Sequence, residues 1–229
     1  MQHPQYVHEI KLLDAQMLNA ITSLLANANY VDGKTTATDA ARLVKNNLQI
    51  DLNDRQVLPH LQQHLGMALM KEPRFNTVLY ASRIFPFMFS KCTEGMNYGW
   101  HVDSPVMAGQ QLIRTDLAMT IFLSEPDTYE GGELVIRTDG GEVSFKPAAG
   151  TAVIYPCQYV HCVNEVRSGV RSVAVTWIQC TVRSAEKRKI LADVKALHEF
   201  IAAENPNSDQ AQQALQTWSN LLRMWGDVV

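Results

Sequence analysis

Between Asn76 and Thr181 the chain breaks into short apolar or alternating segments separated by the turn-forming stretches SEPDTYEGG, RTDGGE, KPAAG and RSG. Glycine, proline, aspartate and serine at this spacing interrupt a helix, so this part of the chain has to be built from short strands. The pattern predicts strands over Thr77–Ser82, Asp116–Leu123, Glu133–Ile136, Glu142–Phe145, Ala152–Tyr155 and Arg171–Gln179. In the last of these Val173, Val175 and Trp177 alternate with more polar residues, as a half-buried strand requires. Strands of this length and number bury their apolar faces as a sandwich or a barrel.

On both sides of this region the periodicity is helical. Met17, Leu18, Ile21, Leu24, Leu25 and Ala28 recur at helical spacing behind Asp14, a ready N-cap. Val57, Leu58, Leu61, Leu65 and Ala68 define a second helix from about Asn53 to Leu69, with Pro59 in its first turn, where the missing N–H does little harm. The intervening DGKTTATDAARLVKNN reads as a loop with a short strand. After Thr181, Ile190, Leu191, Val194, Leu197, Phe200 and Ile201 form one stripe behind Ser184. Ala211, Ala214, Leu215, Trp218, Leu221, Leu222 and Trp225 form another behind Ser208. The expected organisation is α+β: an N-terminal helical extension over 1–78 packed on the core, a catalytic domain over 79–180, and a C-terminal helical extension over 181–229. The tail is expected to pack on the core or to form a homo-oligomer contact.

With 46% hydrophobic residues in 229, the chain can bury a sizeable core. Its net charge of −3, from 20 basic and 23 acidic residues, leaves no cationic surplus for nucleic acid or anionic lipid. Neither a signal sequence nor a span-length apolar run is present, so a cytoplasmic protein is expected, without nucleic-acid or membrane partners. Cys92, Cys157, Cys162 and Cys180 contain no C-x-x-C pair and read as reduced thiols.

The segment richest in chemistry is Gly95-Met96-Asn97-Tyr98-Gly99-Trp100-His101-Val102-Asp103, with His161 sixty residues after His101 and Arg171 ten residues after that. An imidazole and a carboxylate two positions apart on an extended chain point to one face and can share an ion. A distant second histidine makes a set of two His and one carboxylate, which leaves cis positions open for a chelating co-substrate and O₂. A closed structural zinc site would want a fourth ligand, usually cysteine, and the cysteines are not spaced to supply it. Arg171 adds a planar fork that can clasp a carboxylate, and an α-keto diacid has one to spare. Taken singly, each of these residues has an ordinary structural explanation; together their spacing describes a site.

These four residues resemble the pattern of the iron- and 2-oxoglutarate-dependent oxygenases of the prolyl-4-hydroxylase-like superfamily: H-x-D, a distant H, and R or K ten residues beyond. The neighbouring GxxYGWHVD, RTDLAMTIFLSEP, YEGGEL, GTAVIYP and HCVNEVRSGVR, together with VDGKTTATDAARLVKNN and the helical tail, are similar to the bacterial PKHD-type hydroxylases. The resemblance implies a double-stranded β-helix (jelly-roll) fold and Fe(II) held by His101, Asp103 and His161. It further implies 2-oxoglutarate held through its 5-carboxylate by Arg171, and L-ascorbate as a reductant. The implied reaction is oxidative decarboxylation of 2-oxoglutarate to succinate and CO₂ coupled to hydroxylation of a small-molecule or peptidyl substrate. One departure stands out: the superfamily's commoner Y-x-x-G-x-x-Y-x-x-H-x-D has Cys92 in place of its first tyrosine, and Tyr98 or Tyr155 is the candidate to supply the missing contact.

Two other classes fit parts of the pattern: a cupin-like metal enzyme that uses no keto acid, and a non-catalytic jelly-roll binding module. Arg171 speaks against the first. Gly131 and Gly132 are expected to make a structural turn ahead of Glu133–Ile136.

Overall fold

The alternation read from the sequence places its apolar side chains between two antiparallel sheets in the computed structural model, which describes residues 6–37, 39–109 and 112–227. In the first sheet Leu117–Phe122 lies between Thr151–Pro156 and Arg171–Cys180, with Leu117 opposite both Pro156 and Ile178. His8–Lys11 extends this sheet beyond Thr151–Pro156, while Met88–Cys92, Leu48–Ile50 and Tyr30–Asp32 extend it past Arg171–Cys180. The second sheet runs in the order Gly141–Phe145, Leu134–Thr138, His161–Val163, Asn97–His101 and Lys45–Asn46. Ala118, Phe122, Val153, Tyr155 and Val173 of the first sheet and Leu134, Ile136 and Phe145 of the second form one buried apolar layer. Each large side chain in it contributes about 1.5–3 kcal/mol by leaving water. The result is the expected jelly roll within an α+β chain.

The strands predicted from Asp116 onward are present to within a residue or two at each end. Helices Ala15–Leu25, Ala185–Glu204 and Asp209–Trp225 are capped as expected, by Asp14, Ser184 and Ser208. Helix Leu58–Lys71 begins later than predicted, because Asp54 accepts the backbone N–H groups of Gln56 and Val57 and holds a turn ahead of it. The expectation of a strand over Thr77–Ser82 is corrected. Arg74–Thr77 is a helical turn that starts after Pro73, and the strand is Ala81–Ile84. Between them both Val78 and Leu79 donate to Arg74 O, and Tyr80 has φ of 50°, so extended structure cannot begin earlier. The segment read as a loop contains the expected short strand, Lys45–Asn46, but also a helix, Asp39–Val44.

The chain divides into two compact units, Met1–Lys71 with Ile84–Ile178, and Glu72–Arg83 with Gln179–Val229. The first contains the two sheets. The second has its own small core, in which Tyr80, Val182 and Leu191 pack with Trp218, Leu221, Leu222 and Trp225, and the Trp218 indole donates to the Tyr80 hydroxyl at 2.9 Å. Among the described residues no helix is long and apolar enough to cross a membrane.

Two glycines separate conformational from steric demand. Gly131 has φ of 71° and a Cβ there would meet the carbonyl of Glu165, whereas a Cβ at Gly66, in helix Leu58–Lys71, meets nothing within 4 Å. Gly131→Ala is expected to cost at least about 2 kcal/mol, and Gly66→Ala to gain about 0.5–1 kcal/mol, in chemical denaturation. Equal effects of the two would contradict the backbone described.

Candidate active site

The antiparallel pairing of His161–Val163 with Asn97–His101 sets His161 directly opposite His101. The register then shifts: Val163 faces Tyr98, so one extra residue is accommodated on the Asn97–His101 side. That bulge lets Tyr98 and His101, an odd number of positions apart, share a face, and their rings stack at 3.7 Å with an interplanar angle of 14°. The His161 ring lies 4.2 Å from that of His101 and meets the edge of Tyr155 at 5.1 Å. Asp103, two residues past His101, brings Oδ1 to 4.0 Å from His101 Nε2 and 3.8 Å from His161 Nε2. The structure thus gathers His101, Asp103 and His161, with one ligand atom from each within 4.8 Å of the others.

Backbone carbonyls set the tautomers. His101 Nδ1 donates to Gly99 O at 2.8 Å and His161 Nδ1 donates to Tyr159 O at 3.1 Å, since a carbonyl can only accept. Both Nε2 lone pairs are therefore left for the centre, the arrangement that metal-binding imidazoles adopt. Burial, reinforced by His161, lowers the His101 pKa to about 3, so the ring is neutral and needs to lose no proton to act as a ligand. Burial raises the pKa of Asp103, against the opposing influence of His161, the Trp177 indole and Lys45. The Trp177 N–H is directed at Asp103 without closing a hydrogen bond of ordinary geometry. A desolvated carboxylate facing two imidazole Nε2 atoms is the donor set that a divalent cation stabilises, so these residues fit a metal.

Arg171 lies in the same pocket, with an empty volume of about 950 Å³ that is partly open to solvent. It begins strand Arg171–Cys180, on the face shared by Val173, Val175 and Trp177. Arg171 is 2% exposed, and its Nε and Nη2 have no hydrogen-bond partner among the described residues. It sits 5.3 Å from the Phe122 ring centroid, and burial lowers its pKa. A buried cation without a carboxylate is strongly disfavoured unless a ligand supplies one.

Cys92, which stands where the superfamily's tyrosine would, lies opposite Arg171 in the ladder, and burial raises its thiol pKa. Tyr98 stacks on His101, whereas Tyr155, as the sequence reading allowed, feels the Arg171 charge. Sequence reasoning missed Tyr129. Its hydroxyl is buried, has no hydrogen-bond partner among the described residues, and feels the Arg171 charge. Gly132, with φ of 66°, makes this possible, because a Cβ there would come within 2.9 Å of Arg171 Cδ and 3.1 Å of Tyr129 Cε2. In place of the tight turn expected at Gly131 and Gly132, Gly131 ends strand Tyr129–Gly131 at a β-bulge and Gly132 follows in an irregular link, which brings a phenol to the guanidinium. YEGGEL held the signal, a tyrosine just ahead of two glycines, but only the pairing of Tyr129–Gly131 with Val166–Gly169 reveals what it faces.

The model of the 2OG-Fe(II) oxygenase superfamily matches residues 87–179, a stretch that contains His101, Asp103, Tyr129, His161 and Arg171 but not Lys45, Asn47 or Gln49. A PKHD-type hydroxylase of Crocosphaera subtropica is 37% identical over 216 residues, covering 94% of this chain and 97% of the relative. One from Thioalkalivibrio sulfidiphilus is 40% identical over 219 residues, covering 95% and 97%. Among solved structures, a Pseudomonas putida prolyl-4-hydroxylase superposes with a TM-score of 0.53 at 16% identity, covering 77% of this chain and 93% of that one. A Trichoplax adhaerens prolyl hydroxylase, in complex with a hypoxia-inducible-factor oxygen degradation domain peptide fragment, gives 0.57 at 13% identity, covering 82% and 87%. At these identities the solved structures establish the fold.

Proposed function

The chain belongs to the PKHD-type hydroxylase family of 2OG-Fe(II) oxygenases, and from that premise we propose that it hydroxylates a C–H bond of a small-molecule or peptidyl substrate. In this reading His101, Asp103 and His161 hold Fe(II), and Arg171 with Tyr129 holds the 5-carboxylate of 2-oxoglutarate. Arg171 carries the reading: a buried, unpartnered guanidinium in the pocket of a His-Asp-His cluster suits a dicarboxylate that binds beside a metal. A cupin-like enzyme that uses no keto acid would leave that charge unexplained.

When bound, Fe(II) and 2-oxoglutarate would supply the redox chemistry, in which one oxygen atom of O₂ enters the substrate as hydroxyl and the other enters succinate as CO₂ is released. The chain's own residues orient and insulate. The Gly99 and Tyr159 carbonyls engage both Nδ1 atoms and so aim both Nε2 atoms inward. Tyr98 stacked on His101, and Tyr155 edge-on to His161, restrict rotation of the two imidazoles and keep water from their faces. The guanidinium is positioned in advance by Phe122 and the strand backbone, so little ordering is required when a carboxylate arrives. Ascorbate, as a reductant that keeps iron ferrous, belongs to the same proposal.

His161→Ala, like His101→Ala or Asp103→Ala, is expected to abolish turnover and stoichiometric Fe(II) after anaerobic reconstitution, read by metal analysis; full iron content with full activity would refute the ligand set. Arg171→Ala should keep its iron but bind 2-oxoglutarate at least about tenfold more weakly, since each hydrogen bond to a charged group contributes about 1.5–3 kcal/mol. Arg171→Lys should recover part of that affinity, and Tyr129→Phe should lose about three- to tenfold. Anaerobic titration of the Fe(II) protein, following the metal-to-ligand charge-transfer absorption of the chelated keto acid, measures all three. Unchanged affinity in folded, iron-loaded Arg171→Ala would overturn the co-substrate assignment.

A further inference from the structure

The pocket contains a second buried cation that the reaction described above does not use. Lys45 is 5% exposed and begins the strand Lys45–Asn46, opposite Tyr98. Its Nζ donates to Thr36 Oγ1 at 3.2 Å and lies 5.4 Å from the Tyr98 ring centroid. Thr36 Oγ1 in turn hydrogen-bonds with Gln49 Oε1. That is one hydrogen bond for three ammonium donors. Among the described residues no carboxylate lies within ion-pairing distance of it. The groups that act on it electrostatically are Asp32, Asp103 and Cys92, of which Asp32 is exposed, its carboxylate occupied in capping Lys34 N at 2.9 Å.

Along this segment Lys45, Asn47 and Gln49 alternate with the more exposed Asn46 and Leu48, and all three are buried and line the pocket, with Ser90 beside them. Asn47 Nδ2 donates to Ser90 Oγ at 2.8 Å, while Asn47 Oδ1 has no partner among the described residues. A wall that served packing alone would present apolar side chains here, as Val173, Val175 and Ala118 do elsewhere in the pocket. This wall is polar and cationic.

Charge balance gives the wall a meaning that rests on the function proposed above. Lys45 and Arg171 are cations, and Asp103 is the carboxylate among the three metal-binding residues. With Fe(II) and the 2-oxoglutarate dianion in place, one positive charge in the pocket remains uncompensated. Arg171 is matched by the 5-carboxylate, so the surplus falls at Lys45. We propose that Lys45, flanked by Thr36 and Asn47, is the recognition subsite for the prime substrate, and that this substrate presents a carboxylate to it. Burial holds the Lys45 pKa down to about 8, the mark of an ammonium desolvated without a full counter-charge.

The test uses the Fe(II) protein saturated with 2-oxoglutarate under anaerobic conditions, titrated with acetate and separately with acetamide, its neutral isostere. Two signals are followed, the charge-transfer absorption and the fluorescence of the tryptophans, of which Trp177 lines the pocket. Acetate should give a saturable response with the charge-transfer band retained, and acetamide should give none. Lys45→Met should weaken acetate at least about tenfold and Lys45→Arg much less, with 2-oxoglutarate affinity within about threefold of the parent in both. Equal responses to acetate and acetamide, no saturable response to acetate, or unchanged acetate affinity in Lys45→Met would overturn the proposal. So would loss of the band on adding acetate, which would mean displacement of the keto acid. The acetate comparison in the parent protein stands without any variant should Lys45→Met fail to fold. Absence of a charge-transfer band before acetate is added would instead count against 2-oxoglutarate binding itself.

Discussion

The register that places His161 opposite His101 is the constraint on which the rest of the pocket depends. His161–Val163 is an inner strand of its sheet, paired on its other side with Leu134–Thr138, where Ile136 faces His161. A slip of one residue on either side would turn the imidazole out of the pocket and bring Val160 or Cys162 to its place. Ile136, fully buried in the core, opposes such a slip, because the same shift would carry it to the wrong face. The geometry of the His101–Asp103–His161 cluster and core packing are therefore enforced by one ladder. The bulge at Tyr98 is the local adjustment that adds an aromatic wall to the histidine face without disturbing the pairing at His101.

Charge governs what this geometry is for. The first sheet contributes Arg171, and the second contributes the two imidazoles, with Asp103 just past the end of strand Asn97–His101. A protein selected for stability alone gains little from a buried guanidinium with two nitrogens unpartnered, since apolar residues of similar volume are as stable or more so. Such a group persists where a ligand completes it. The same logic reads Tyr129, whose hydroxyl is held beside the guanidinium and could otherwise have been a phenylalanine. Gly132 is the structural concession that admits both, because any side chain there would collide with them.

Much of this was legible in the sequence, for identifiable reasons. His101 and Asp103 share a face through the two-residue period of extended chain, so their partnership could be read locally. Helices capped by Asp14, Ser184 and Ser208 were legible because cap and apolar stripe coincide. Strands such as Met88–Cys92 and His161–Val163 were not, because nearly every residue in them is buried and alternation disappears. Tyr129 was illegible because its register partner, Gly169, lies forty residues away on another strand, and its functional neighbour lies on a third. Lys45 was passed over for a different reason: within VDGKTTATDAARLVKNN a lysine among polar residues has the composition of a solvated loop, and burial is a property of the tertiary structure.

The buried lysine also explains why the chain before the catalytic stretch folds as it does. Residues 30–50 contribute strands to both sheets, Leu48–Ile50 with the edge strand Tyr30–Asp32 to one and the edge strand Lys45–Asn46 to the other, so the segment passes from sheet to sheet at the side of the pocket. Gly33 secures the approach: its N–H donates to Asn47 O at 2.9 Å, and a Cβ there would collide with the Asn47 side chain. Thr36 is thereby held where its hydroxyl can join Lys45 to Gln49. A segment needed merely to cover the sheets could do so with apolar residues and no such network, at less desolvation cost. In the proposed function His101, Asp103, His161 and Arg171 serve a reaction that many substrates could undergo. The polar wall from Lys45 to Gln49, built by a different stretch of chain, is where the choice among those substrates can be made without altering the chemistry.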